Sequence, residues 1–177
     1  FTLLWSGCVV RSFVLFHDCG HKSLFTNVKL NKRWMPLLSF LCATPSDWNV
    51  GHSLHHMNVG NLSQKDYDWG ETVFHTVEEY QQLSPFAQTI IRIVRHPFPF
   101  FTMAPLLTWY IKMRLPFELR RDRKAAYRFS DKMMSNAFLV VRYYTAQKYC
   151  IFLPIFAGDY LAMVIGVILF HTQHVYE

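Results

Sequence analysis

Seven of the nine histidines in this chain fall into three short clusters: His17-Asp18-Cys19-Gly20-His21, His52-Ser53-Leu54-His55-His56 and His171-Thr172-Gln173-His174. Neutral imidazole is the commonest nitrogen ligand for iron, zinc and copper, and crowding this many together is unfavourable unless a cation organises them. On a helix, His17 and His21 project from one face a turn apart. His52, His55 and His56 form the same i, i+3, i+4 face, with Trp48 one turn earlier to shield it. Six or seven imidazoles exceed the three or four that one zinc needs; they suit a pair of metals with open positions for dioxygen. Asp18, Glu71, Glu78 and Glu79 are candidates to accept hydrogen bonds from ligand imidazoles, beside the commoner role of solvated surface acids. Neither HExxH nor its inverse occurs, which argues against a metalloprotease. Cys8, Cys19, Cys42 and Cys150 show no CxxC spacing, so neither a disulfide framework nor a thiolate zinc site is expected.

The elements that must position these clusters are apolar. The chain has 177 residues, of which 51% are hydrophobic and 17% aromatic, enough for one domain and rich for a soluble one. The apolar material gathers in residues 1–16, 34–45, 98–113 and 136–170, with the histidine clusters at the ends of these stretches or between them. Residues 46–97 are polar overall and must lie outside hydrocarbon. The net charge of +6 concentrates between Lys112 and Lys132, a position that favours a cytoplasmic loop near anionic lipid over a nucleic-acid site. The chain begins with Phe1 inside an apolar run and stops directly after a histidine cluster, and so reads as a fragment.

All three clusters must meet on one face of the bilayer, and this constrains topology. If residues 98–113 crossed fully, the basic loop would lie opposite the second cluster; Pro97, Pro99, Pro105 and Pro116 interrupt helix there, so a re-entrant or interfacial segment is expected. Residues 136–170 must then cross and return as a hairpin of two helices of about 17 residues each, with Pro154, Gly158 and Asp159 as the natural turn. The rival is one full span over residues 151–170, which forces either a buried Asp159 or a basic loop on the far side.

At the clusters the sequence resembles the membrane fatty acid desaturase family. His17-Asp-Cys-Gly-His21 looks like its first histidine box, and Trp48-Asn-Val-Gly-His52-Ser-Leu-His55-His56 looks like its WxxxHxxHH second box. Thr76-Val-Glu-Glu-Tyr80, followed by Leu83-Ser84-Pro85, is similar to a segment of bacterial-type acyl-lipid desaturases. Gln173-His174-Val-Tyr-Glu177 looks like the QHxxE that ends their last membrane helix. The third HxxHH box that normally follows this segment in the family is expected beyond Glu177, so residues 1–177 read as an incomplete desaturase domain.

The resemblance implies an all-α integral membrane bundle with a cytosolic, histidine-rich metal cap. It implies two iron ions, dioxygen as co-substrate and removal of two hydrogens from a fatty acyl chain carried on lipid or coenzyme A. Electrons would come from a ferredoxin or a b-type cytochrome. His17, His21, His52, His55, His56 and His174 carry over as iron ligands, His171 is a further candidate, and Asp18 and Trp48 support them. His75 and His96 match no box and read as ordinary surface histidines. The runner-up is a di-iron hydroxylase or ketolase of alkanes, sterols or carotenoids, with similar boxes. A histidine-rich metal transporter is less favoured, because transporters place ligands near the bilayer midplane rather than at segment ends.

Overall fold

The computed structural model describes residues 1–58, 75–115 and 129–174, except for the side chains of residues 54, 55, 58, 129–131 and 170–174. Among the described residues there is no strand, and the helices are α1 (Thr2–Gly20), α2 (Val28–Cys42), α3 (Trp48–Asn58), α4 (Val77–Gln82), α5 (Pro85–Arg95), α6 (Pro97–Leu106), α7 (Phe129–Lys148) and α8 (Phe152–His174). A π-helical turn, Leu107–Lys112, continues α6. One helix among them is long and apolar enough to cross a membrane, over Phe152–Leu169, where mean hydropathy is 2.1.

Local chemistry sets the helix ends. Asn27 caps α2 by accepting from the Lys29 amide, and Ser84 caps α5 by accepting from that of Ala87, with Pro85 at the first helical position. Thr76 and Glu79 form a capping box at α4, each side chain accepting from the other's backbone amide. Three helices stop without glycine. Lys22, Ala43 and Cys150 take φ of 60°, 49° and 56°. In each case the next amide closes back across the turn, Ser23 to the Asp18 carbonyl, Thr44 to that of Ser39 and Ile151 to that of Ala146.

The turn at Cys150 corrects the expected hairpin. Two helices do run out and back, but they are 20 and 23 residues long, and the reversal lies at Tyr149–Ile151 rather than at Pro154, Gly158 and Asp159. Pro154 sits in the first turn of α8, where its missing N–H has no intrahelical acceptor to lose. Asp159 lies inside α8, fully buried and hydrogen-bonded, which is the condition the single-span alternative requires. The prolines of residues 97–113 likewise do not break the helix. Pro97 and Pro99 fall in its first turn, and Pro105 is accommodated just before the π-helical turn.

The core that holds the site is small. Phe16 and Cys19 of α1 bury against Leu38 and Cys42 of α2, with Phe13, Met35 and Trp48 packed around them. A second cluster joins Ala43, Trp109 and Leu139. Many large apolar side chains face outward instead: Leu3 and Leu4 on α1, Phe98 on α6, Val140 and Val141 on α7, and Leu153 and Leu169 on α8. Helix α5 is turned the same way. Gln88 donates to the carbonyls of Tyr80 and Leu83, and Arg92 Nε donates to the Tyr80 hydroxyl at 2.8 Å, so its polar side meets α4 while Phe86, Ile90, Ile93 and Val94 point out.

Candidate metal centre

The end of α1 and the body of α3 build the site. His17 and His21 occupy the last turn of α1 and the residue that follows it, and His52 and His56 lie one turn apart on α3. The His21 Nε2 is 3.2 Å from that of His17 and 3.1 Å from that of His52, and the Nε2 atoms of His52 and His56 are 3.0 Å apart. The candidate ligand atoms of all four lie within 4.8 Å of one another. Nitrogens bound at about 2.1 Å and subtending 90° to 109° are about 3.0 to 3.4 Å apart, so these three edges match those between neighbouring ligands of a metal ion. The donor set therefore fits a transition metal, and His17, His21, His52 and His56 are the residues that would hold it.

The rings are oriented from outside. Asp18 lies 3.2 Å from His17 Nδ1; an N–H at Nδ1 donated to that carboxylate leaves the Nε2 lone pair facing the cluster. Trp48 stacks on His52 with centroids 4.5 Å apart and planes at 16°, and it also packs on His17 and on Phe13 and Phe16 of the α1–α2 core. Thus Trp48 fixes the plane of one imidazole and walls the cluster on the core side. Burial and the neighbouring His17 lower the pKa of His21, partly opposed by Asp18, so its neutral, ligating form is favoured. Cys19 lies next to the cluster, where burial and Asp18 raise its pKa, and it is not among the four converging donors.

Close approach of α1 and α3 depends on Gly20. A Cβ there would sit 2.2 Å from the Asn49 Oδ1 and 2.7 Å from its Cγ. Within the first cluster, glycine is thus the residue that lets the second cluster come near. Of the other candidates, Glu79 is engaged in the α4 capping box, Glu78 is exposed on the same helix, and Glu71 lies outside the described residues. The side chains of His55, His171 and His174 also lie outside them, although positions 171 and 174 are in the last turn of α8. Sequence reasoning did not find Tyr143, Arg142 and Trp5 around Asp159; the signal was Asp159 itself, a lone acid in an apolar run.

These features define a helical protein with an apolar exterior and, at one end, a polyhistidine cluster suited to a metal ion. The family model described as "Fatty acid desaturase" matches residues 1–177, and the chain belongs to that family. A "Fatty acid desaturase" of Bacillus subtilis (strain 168) is 29% identical over 184 residues, covering 99% of this chain and 50% of the relative. An "Omega-3 fatty acid desaturase, endoplasmic reticulum" of Vigna radiata var. radiata is 34% identical over 110 residues, covering 61% and 26%. An "sn-1 acyl-lipid omega-3 desaturase (ferredoxin)" of Synechocystis sp. is 30% identical over 108 residues, covering 59% and 28%. The chain thus spans half the length of the first relative and about a quarter of the other two. No solved structure matches.

Proposed function

We propose that this chain is the membrane-embedded metal-binding part of an acyl desaturase, which introduces a double bond into a fatty acyl chain at a di-iron centre. The observation that carries the reading is the convergence of four imidazole Nε2 atoms, with edges of 3.0 to 3.2 Å, in a chain that matches the family over its whole length. Two irons bound there would supply dioxygen activation and removal of hydrogens from neighbouring methylenes, with electrons from a ferredoxin or a b-type cytochrome. The names of the relatives, among them a ferredoxin-dependent acyl-lipid enzyme, favour desaturation over hydroxylation and lipid over coenzyme A as the carrier.

The protein's own residues have defined tasks in this reading. His17, His21, His52 and His56 supply one half of the ligand set; His55, His174 and His171 are assigned to the rest. Asp18 holds the tautomer of His17, and Trp48 holds the ring of His52 and keeps water from the core side of the cluster. No side-chain acid or base need carry the difficult step; the protein positions the target carbon at the metals.

An integral membrane fold agrees with the outward apolar side chains and with the span in α8, of which only 22% is buried within the protein. A core helix of a soluble protein would be mostly enclosed. Residues 46–97 and 112–132 are assigned to the same, cytosolic side as the histidines, with α6 and its π-helical turn re-entrant from that side.

The test is fatty-acid profiling of a host that expresses the full-length polypeptide carrying this sequence. The wild type is expected to convert saturated or monounsaturated chains to products with one more double bond. His52→Ala and His55→Ala should reduce that product to background while leaving membrane insertion intact, since both lie in α3, outside the apolar runs that would enter hydrocarbon. Full activity in either variant would show the metal site to be misassigned.

A further inference from the structure

Asp159 is a fully buried acid far from the histidine cluster in sequence and unused in the chemistry above. Trp5 Nε1 donates to its Oδ1 at 2.9 Å, and the Tyr143 hydroxyl donates to its Oδ2 at 3.0 Å. Arg142 Nη1 lies 3.3 Å and 3.4 Å from the two oxygens. The other arm of the same guanidinium donates to the carbonyls of Phe40 and Leu41, at the end of α2, at 3.0 Å and 2.7 Å. Next to it, Gly158 makes room, since a Cβ there would lie 2.6 Å from Trp5 Cδ1 and 3.0 Å from the Thr2 carbonyl oxygen. One carboxylate therefore ties α1, α2, α7 and α8 together at a single level.

Helix direction gives that level its meaning. Helices α7 and α8 are antiparallel about the turn at Cys150, and Arg142 and Asp159 pair across them. Ten residues back along α7, Lys132 pairs at 3.6 Å with Asp47, directly before α3, where Trp48 packs on Phe13, Phe16 and His17 of α1. The C-terminal ends of α1 and α8 thus lie at the same end, and the two helices run parallel. Trp5 and Asp159 touch; twelve residues further on in each helix come His17 and position 171. At 1.5 Å per residue both stand about 18 Å along from the contact, and position 174 falls between the levels of His17 and His21.

We propose that the carboxylate of Asp159 is the index that fixes the axial register of α8 against α1, and so delivers the histidines at 171 and 174 to the level of the four-imidazole cluster. The inference rests on the metal-centre reading above. An apolar helix contact in lipid is weakly directional and tolerates slippage, whereas an acid with three directional partners is satisfied in one register. A slip of one residue would move positions 171 and 174 by about 1.5 Å and turn them by about 100°. A metal site tolerates about 0.5 Å and 10° to 20°. Asp159 is thus a positioning residue, acting through α8.

The test uses the full-length polypeptide, with Cys8, Cys19, Cys42 and Cys150 replaced by alanine and cysteine pairs placed across α1 and α8. Val9→Cys with Ala162→Cys lies one rung along from the Asp159 contact, and Val9→Cys with Gly166→Cys lies a turn beyond it. The unaltered lock should cross-link the first pair selectively. Asp159→Ala should spread cross-linking over both pairs and weaken cobalt(II) binding at least tenfold. Asp159→Asn, which keeps an acceptor for Trp5, should recover much of both, and Trp5→Phe, which removes one N–H, serves as the mild variant if Asp159→Ala does not fold. Unchanged selectivity in all three variants would overturn the proposal, as would lost selectivity with unchanged cobalt binding. Absence of cobalt binding in the protein with the intact lock, with selectivity still following Asp159, would overturn the metal reading separately from the register.

Discussion

Gly20 shows what a single residue does in this site. Its Cβ position is already filled by the side chain of Asn49, whose Oδ1 is buried without a hydrogen-bond partner. Adding one methyl group must displace the Asn49 side chain, which fills the space between α3 and Gly20, and so disturb the seating of His52 and His56 against His17 and His21. Gly20→Ala is therefore expected to weaken cobalt(II) binding at least tenfold with helix content unchanged by circular dichroism. Asn49→Ala in the same chain should restore much of the loss, because it removes the colliding group and an orphan acceptor whose deletion costs little. Failure of the double variant to regain affinity would show that Gly20 acts otherwise. The four histidines were legible as ligands because their helical spacing is regular. Gly20 stood in plain view in the first cluster, but its role depends on a residue 29 positions away that no local pattern marks.

At the scale of the helices, existence and type were legible and ends were not. Helix α8 reads as a long apolar run, but Pro154, Gly158 and Asp159 look like turn residues because glycine, proline and aspartate usually are. In the structure, one begins a helix, one permits close packing and one is a buried ligand of Arg142, Trp5 and Tyr143. The true reversals use Lys22, Ala43 and Cys150 in the left-handed region, where side chains leave no sequence signal. A left-handed non-glycine residue costs about 1 kcal/mol, so Cys150→Gly is expected to stabilise the protein by up to that amount in reversible unfolding by a denaturing detergent. A null or negative shift would mean that the Cys150 side chain contributes more than its strain. The pair Lys132–Asp47, each with 8% side-chain exposure, is the opposite case. Lys132→Met leaves a buried carboxylate without this partner and should cost about 3 kcal/mol by the same measurement. A loss under about 1 kcal/mol would place that pair among the weak surface bridges.

For the whole molecule, the composition announced an apolar exterior, and the structure turns Leu3, Leu4, Phe98 and Leu153 outward as a lipid-facing protein would. Which segments cross was the least legible part, since among the described residues α8 alone is long and apolar enough to span. The proposed topology puts the regions around Gln64 and Arg121 on one side. Cysteines placed there in the full-length protein should react with an impermeant maleimide from the same face of sealed vesicles; labelling from opposite faces would make α6 and its π-helical turn a full crossing.

The bond between Trp5 and Asp159 joins residues 154 positions apart, whereas the four-imidazole cluster is complete within the first 58. At about 5 to 20 residues per second of synthesis, the earlier part of the site waits roughly 5 to 20 s for Asp159, the residue proposed to index its partner helix. During that interval the first two histidine clusters have been made, but the helix proposed to set the register of the third has not. In the proposed reading, loading of the metal is therefore expected as a late event that follows docking of the α7–α8 hairpin.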